Sequence, residues 1–419
     1  MTDAAHADKL RRLEADTLLP QLDRDSRRLV REAARAHRFT FQEMRRVAEA
    51  ARDLEMWREE PLGVWWRRAE QQIGGGGRER KKALLRRLDE HIRGLAAAAK
   101  EYPAEGLAAP PRRRVRLERR QTEAEVFGLC PAYSEQTVCC GLRTLDAVRG
   151  CSFGCSYCTI QTFYGEVAEL EEGLAEKLEA IELDPDRLYH IGTGQSSDSL
   201  IWGNRNGVLD ALVGFARRHP NVVLELKTKS DNVRPLLERS DLPDNLVCSW
   251  SLNTETVIRN EEHGTASLER RLAAARRMAD RGSRIGFHFH PMVFYDGWRE
   301  EYAGVASRLL ETFSPGEVLF VSMGAVTFIK PVVREIRRRG GETKILQMDM
   351  VRDHNGKLTY PDETKVELFG HLFEHLAPWH PEVFFYLCME AAPIWERTLG
   401  WAYATNEDFE RAFAGHCLA

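Results

Sequence analysis

Residues 149–165 read Arg149-Gly150-Cys151-Ser152-Phe153-Gly154-Cys155-Ser156-Tyr157-Cys158-Thr159-Ile160-Gln161-Thr162-Phe163-Tyr164-Gly165. Three cysteines fall in the spacing C-x3-C-x2-C, with one aromatic residue, Tyr157, just before the third. Thiolates hold iron–sulfur clusters, and a compact loop lets three of them converge on one face of a cube. A [4Fe–4S] cluster has four irons, so three cysteines leave one iron open to a substrate or cosubstrate. The spacing also fits a tetrahedral zinc site completed by Cys130, Cys139 or Cys140, or plain buried thiols. Nine cysteines, an odd number in a long chain without a secretory leader, argue against a disulfide framework.

At 419 residues the chain exceeds the usual size of one domain. Lys and Arg number 60 against 64 Asp and Glu, a net charge of -4, so no global basic field announces a nucleic acid. No run approaches the roughly 20 apolar residues of a membrane span. The start, Met1-Thr-Asp-Ala-Ala-His-Ala-Asp-Lys9, lacks the basic and apolar regions of a signal peptide. The expected setting is cytoplasmic and reducing, as an oxygen-sensitive cluster requires, with no membrane partner.

Around the cysteine loop the chain changes character. Residues 1 to about 100 read as helical, with Leu10 and Leu13 on one face, Leu22 and Leu29 beyond Pro20, and Phe39, Phe41, Met44, Val47 and Ala51 in a further segment. Trp57, Trp65 and Trp66 stand among Arg58, Arg67 and Arg68, either as bundle core with a charged rim or as a base-stacking surface. Gly74–Gly77 is a turn, and a helix follows through Leu84, Leu85, Leu88 and Ile92. After Pro110 and Pro111 comes Arg112-Arg113-Arg114-Val-Arg116-Leu-Glu-Arg119-Arg120, read as a solvated linker or a phosphate-binding arm. From Leu145 onward, short apolar strands at 144–149, 187–192, 222–228, 246–251, 285–290, 318–322 and 345–348 alternate with helical patterns at 170–182, 206–218, 265–281, 299–313 and 331–339. This alternation predicts a parallel sheet with helices outside, an α/β fold of the partial (β/α)6 barrel type. The cysteine loop follows the first strand, where barrels of this kind carry their chemistry. Later strand ends supply polar groups: Gly192-Thr-Gly194-Gln195-Ser196-Ser197-Asp198, Lys227-Thr-Lys229-Ser230, Ser249-Trp-Ser251-Leu-Asn253, and Gly286-Phe-His288-Phe-His290, with both histidines on one face.

Taken together, these residues resemble the spore photoproduct lyase family of radical S-adenosylmethionine (SAM) proteins. The resemblance runs from about Val126 to Trp401. It includes Cys139-Cys140-Gly141, Cys151-x3-Cys155-x2-Cys158-x2-Gln161, Ser197-Asp198, Leu224-Glu-Leu-Lys-Thr-Lys-Ser230, Ser249-Trp-Ser-Leu-Asn253, Glu262-x-Gly264-Thr265, Gly286-Phe-His-Phe289, Gly297-Trp298 and Tyr386-Leu-Cys-Met-Glu390. It implies that Cys151, Cys155 and Cys158 bind a [4Fe–4S] cluster. It also implies that Ser197, Lys229, Ser251 and Asn253 lie near bound SAM, which the reduced cluster splits to a 5′-deoxyadenosyl radical. An electron donor such as flavodoxin or ferredoxin is implied as a partner. Two positions depart from the family. The lyase has a hydrogen-returning cysteine where this chain has Gln195, and a tyrosine where it has Thr159, although Tyr157 is kept. A carboxamide does not donate a hydrogen atom as a thiol does, so Gln195 and Tyr157 are the catalytic positions to examine. The family also inserts a hairpin into DNA. The matching stretch is His354-Asn355-Gly356-Lys357-Leu358-Thr359-Tyr360, where Asn-Gly signals a type I′ turn. His290, Lys357 and Tyr360 are the candidate substrate contacts.

The expected organisation is an N-terminal helical domain at 1–111, a basic linker and lead-in at 112–143, the barrel at 144–340, and a C-terminal extension with a hairpin at 341–419. The expected function is radical SAM chemistry on DNA or another nucleic acid. Two other readings stand beside it: a radical SAM enzyme acting on a small molecule or peptide, and a non-catalytic iron–sulfur protein that binds nucleic acid or senses redox state.

Overall fold

A computed structural model of the chain describes residues 12–110 and 114–418, so Leu10 and Pro111–Arg113 lie outside the described residues. The described chain divides into two units, Met1–Pro110 with Ile329–Asp349, and Pro111–Phe328 with Met350–Ala419.

The first unit is helical. Its helices are Arg24–Ala36, Phe41–Trp57, Leu62–Gln72, Gly77–Ala97 and Lys330–Arg339. A capping box starts the second: Thr40 Oγ1 accepts from the Glu43 N–H, and the Glu43 carboxylate accepts from the Thr40 N–H. Val30, Phe39, Met44, Val47, Leu54, Trp66, Leu84 and Leu88 form one core. Trp57, Trp65 and Trp66 are only 2%, 5% and 1% exposed, so they belong to the core and offer no stacking surface. The helix Lys330–Arg339, which the alternation assigns to the barrel, groups with this bundle. Arg337 donates to both carboxylate oxygens of buried Asp53 at 2.7 Å, and Arg52 donates to the Arg337 and Gly341 carbonyls at 3.0 and 3.1 Å. The expected strand at 345–348 is absent for the same reason: this stretch is a turn within the helical unit.

The second unit is built on an eight-stranded sheet. Its strands are β1 (Phe127–Leu129), β2 (Arg143–Leu145), β3 (Tyr189–Thr193), β4 (Val222–Thr228), β5 (Leu246–Ser251), β6 (Ile285–Met292), β7 (Val318–Ala325) and β8 (Phe384–Leu387). They lie side by side in chain order, with β1 antiparallel to β2 and every later neighbour parallel. Helices between the strands cover the outer face, which is why β4 to β7 are buried almost throughout. The result is the expected α/β partial barrel. Its last strand is β8 rather than a strand at 345–348. Two further expectations change. Residues 144–149 split between β2 and a short strand, Val148–Arg149, in a separate sheet. That sheet contains Val167–Glu171, whose last two residues the sequence pattern assigns to a helix at 170–182, and Arg116–Arg120. The described part of the basic stretch is therefore a paired strand, with Arg120 bonded to Glu169, rather than a loose arm.

Inside the barrel, period-two alternation turns polar residues inward. Glu225 accepts from His190 Nε2 at 2.8 Å, from His288 Nε2 at 2.6 Å, and from Ser249 Oγ. Phe320, Phe384, Tyr386 and Phe413 form an aromatic group at the N-terminal ends of the strands, with His190 stacked on Phe413 at 4.7 Å. The Phe320 ring lies directly against Gly286, where an added Cβ would come within 2.5 Å of Cζ. Gly286→Ala is therefore expected to destabilise the barrel by roughly 1–3 kcal/mol. Faster amide exchange along β6 and β7 would show it, and Phe320→Leu in the same chain should recover part of the loss.

Candidate active site

The cysteine loop leaves the short strand Val148–Arg149 through Gly150, whose φ is +94°. A Cβ there would come 3.0 Å from the Val167 carbonyl oxygen, so both conformation and space call for glycine. The loop is fixed at both ends. Ser197 Oγ donates to the Gly150 carbonyl at 2.7 Å, and the Gly150 N–H donates to the Ser196 carbonyl at 2.7 Å. Farther along, the N–H groups of Gly154 and Ser156 donate to the His263 and Glu261 carbonyls, each at 2.8 Å. Gln161 Nε2 donates to the Cys155 carbonyl at 2.6 Å.

Cys151, Cys155 and Phe153 form a small buried cluster, with Tyr157, Cys158, Ile160 and Ile201 packed on it. Burial pushes the Cys151 thiol up to about 12 and raises Cys155 well above its ordinary value. A thiolate at either place needs a cationic partner, which irons supply. Among the described residues, no group of three or more His, Cys, Asp or Glu converges closely enough to hold a single metal ion. That does not conflict with a cube, where each thiolate takes a different iron. The donor set therefore fits an iron–sulfur cluster.

Beside this loop, the ends of β4, β5 and β6 come together. Asp198 accepts from the Lys229 N–H at 2.7 Å and from Thr228 Oγ1 at 2.8 Å, which fixes the chain just after β4. Lys229 Nζ then donates to Ser251 Oγ at 2.5 Å and to the His290 carbonyl at 3.4 Å. It also lies 5.8 Å from the centre of the Tyr157 ring. Tyr157 donates its hydroxyl to Glu262, and Glu262 pairs with Arg271 at 2.5 Å with both side chains fully buried. Arg271 reaches on to the Ser251 carbonyl at 2.7 Å and Thr265 Oγ1 at 2.7 Å. Burial alone would raise the Glu262 pKa, but Arg271 and Lys229 outweigh it and hold the carboxyl below its ordinary value. Burial and that anion raise Tyr157, so the phenol keeps its proton.

The remaining sequence candidates divide. Lys229, Ser251 and Tyr157 meet at one place. Ser197 touches the loop from below. Asn253 is buried and fully engaged, donating to the Pro291 carbonyl at 2.8 Å and accepting from Tyr302 Oη at 2.7 Å. These bonds tie the chain just after β5 to the end of β6 and to Tyr302. Gln195 is half-buried after β3. His290 is inside the barrel, bonded to Ser322 Oγ at 2.9 Å and 3.5 Å from Lys227 Nζ. Burial, then the nearby Lys227, keep this imidazole neutral. The hairpin forms from Val351–Arg352 and Leu358–Thr359. Tyr360 does not project from it as a wedge: it is 2% exposed, and its Oη accepts from the Phe294 N–H at 3.1 Å. Lys357 is half-buried beside Met389. Sequence reasoning named Lys227 at the strand end but missed Glu225 and Arg271. Alternation along Glu225-Leu-Lys227-Thr-Lys229 puts Glu225 on the face of Lys227, but Arg271 gave no local signal.

A sequence profile of spore photoproduct lyase matches residues 143–384. The chain belongs to the spore photoproduct lyase family. As a member it is a radical SAM enzyme, a class that works with a [4Fe–4S] cluster and SAM. The spore photoproduct lyase of Geobacillus sp. (strain Y412MC61) is 25% identical over 251 residues, covering 57% of this chain and 73% of the relative. That of Clostridium acetobutylicum is 25% identical over 182 residues, 42% of this chain and 54% of the relative. Among solved structures, spore photoproduct lyase complexed with dinucleoside spore photoproduct superposes with a TM-score of 0.56 at 22% identity, over 65% of this chain and 82% of that one. A lyase variant with bound AdoMet and dinucleoside spore photoproduct gives 0.54 at 22% identity, with the same coverage. These structural likenesses establish the shared fold. Among the described residues, no helix is long and apolar enough to cross a membrane.

Arg271→Met leaves Glu262 buried without its main partner, and the expected loss is about 3–5 kcal/mol. Native-state hydrogen exchange in the barrel reads it. Adding Glu262→Gln should return part of that stability, because the uncompensated charge is gone.

Proposed function

We propose that this member of the spore photoproduct lyase family acts on a modified or damaged base in DNA or another nucleic acid. In this reading Cys151, Cys155 and Cys158 each hold one iron, and Lys229 with Ser251 receives the carboxylate of SAM. The observation that carries it is the position of Lys229. Its ammonium sits at the barrel mouth, beside the cysteine loop, within 2.5 Å of Ser251 Oγ and 3.4 Å of the His290 carbonyl. When bound, cluster and SAM supply a hydrogen-abstracting radical once an external donor, such as a flavodoxin or ferredoxin, delivers an electron.

The chain's own residues bind and orient. Lys229 offers a charge-assisted hydrogen bond, and Asp198 fixes where its backbone stands. Phe153, Ile160 and Ile201 keep water from the thiols. Nucleic acid as substrate is supported by relatives crystallised with dinucleoside spore photoproduct. The exposed Arg352 and His354 of the hairpin also support it, as groups able to meet phosphates. Gln195 stands where the lyase has its hydrogen-donating cysteine, so the product-forming step differs from the lyase's own.

Lys229→Ala is expected to weaken SAM binding more than Ser251→Ala, since a charge-assisted bond is roughly twice as strong as a neutral one. Calorimetry on the reconstituted protein checks the order, and affinity unchanged from wild type in both variants would remove Lys229 and Ser251 from the site. Iron analysis should give about four irons per chain in wild type and a loss of the cluster in Cys155→Ala.

The substrate assignment is tested with dinucleoside spore photoproduct. Wild type should bind it and yield little clean repair, while Gln195→Cys should gain repair. Failure of both proteins to bind the lesion would overturn the nucleic acid reading and favour a small-molecule substrate.

A further inference from the structure

Lys227 stands on β4, two residues before Lys229 and on the same face. The two lysines keep different company. Lys229 is surrounded by oxygen: its ammonium meets Ser251 Oγ and the His290 carbonyl, with Glu262 at 3.9 Å. Lys227 has no such partners. Among the described residues it forms no ion pair, and its ammonium makes one hydrogen bond, to His290 Nδ1 at 3.5 Å. Glu225, the nearest acid along the strand, is already bonded to His190 and His288.

The surroundings of Lys227 are fixed on both sides. An ammonium has only hydrogens to give, so Nδ1 of the neutral His290 ring accepts and Nε2 carries the ring hydrogen. That hydrogen goes to Ser322 Oγ at 2.9 Å, and the ring lies against Gly324, where an added Cβ would come within 3.1 Å of Nε2 and Cδ2. On the other side, the Lys227 carbonyl accepts from the Ser199 N–H at 3.2 Å. Gly194 is so close that an added Cβ would meet this carbonyl oxygen at 2.9 Å and the Lys227 Cβ at 3.3 Å. The next residue is Gln195. Lys227 is thus tied to the turn that carries position 195 and, through the ring and carbonyl of His290, to Lys229. Lys227, His290 and Gln195 are all half-buried, so the pair is reachable from the barrel interior. Two of the three ammonium hydrogens have no acceptor among the described residues.

We propose that Lys227 receives a phosphate oxygen of the substrate, with His290 as the positioning residue that aims its ammonium. A half-buried ammonium held by a neutral ring, with no carboxylate beside it, calls for an anion that the protein does not itself contain. This rests on the nucleic acid reading above, in which Lys229 is committed to the carboxylate of SAM and Lys227 is left for the substrate. In a lesion spanning two adjacent nucleotides, the linking phosphate is the anion that enters the site with the bases. Burial and the neighbouring Lys229 lower the Lys227 pKa, and a phosphate oxygen at the ammonium opposes both effects.

The test uses the full chain with cluster and SAM loaded anaerobically, so that Lys229 is occupied, and reads binding by calorimetry at constant ionic strength. The probes are inorganic phosphate, and spore photoproduct both as the dinucleoside and as the dinucleotide with its linking phosphate. Wild type should bind inorganic phosphate and hold the dinucleotide roughly tenfold more tightly than the dinucleoside, the contribution of one charge-assisted hydrogen bond. Lys227→Gln should weaken phosphate binding by a similar factor and erase the preference between the two lesions, while Lys227→Arg keeps most of both. His290→Leu should behave like Lys227→Gln, whereas His290→Asn, whose Oδ1 replaces the Nδ1 acceptor, should restore binding. No phosphate uptake by wild type, unchanged uptake in Lys227→Gln, or equal wild-type affinity for the two lesions would overturn the proposal. Phosphate binding that depends on Lys227 while neither lesion binds would sustain the site, for the phosphate of another substrate, and overturn only the nucleic acid reading. The wild-type measurements decide the matter even if a variant does not fold.

Discussion

The fully buried pair of Glu262 and Arg271 is the contact on which the mouth of the barrel depends. Arg271 is held by Glu262, Thr265 and the Ser251 carbonyl, and Glu262 by Arg271 and the Tyr157 hydroxyl. One ion pair thus joins the cysteine loop to the end of β5. A buried salt bridge adds little net stability, because desolvation of both charges offsets their attraction. Its consequence is positional: either charge alone is costly, so the loop and the strand end occupy only the arrangement that keeps them together. Lys229 belongs to the same field, 3.9 Å from Glu262, and reaches Ser251 from there.

Below the mouth, the barrel interior is held by polar contacts rather than by apolar layers. Glu225 collects two imidazoles and a hydroxyl. Burial alone would raise its pKa, but His288 and His190 outweigh burial and keep it ionised. Each of its partners comes from a different strand, β3, β5 or β6. A network satisfied in this way fixes strand register, since a slip of one residue would turn every polar group to the apolar outer face. Lys227, His290 and Ser322 contact one another inside the barrel, and the aromatic group lies at the N-terminal ends of the strands.

Much of the site was legible in the residues. The spacing of Cys151, Cys155 and Cys158 marked a cluster loop because thiol chemistry at short range needs no tertiary knowledge. The strand pattern placed Lys229 and Ser251 on neighbouring strand ends, and in the structure they are 2.5 Å apart. Asn253 and Tyr360 were less legible. Both carry polar groups suited to a ligand, yet Tyr302 and Pro291 engage the first, and the Phe294 N–H binds the second. A local pattern shows that a side chain can make hydrogen bonds, and burial decides with whom.

By itself, the sequence determined the α/β alternation, the helical character of the N-terminal part, the shared face of His288 and His290, and the cysteine loop. All of these follow from short-range spacing, which chain geometry converts directly into faces and loops. Tertiary structure decided that the helix Lys330–Arg339 joins the N-terminal bundle, through Asp53 and Arg52 nearly three hundred residues away. It also decided that β8 completes the sheet and that Arg271 holds Glu262. These pairings depend on which distant segments are brought into contact, and no local periodicity encodes that.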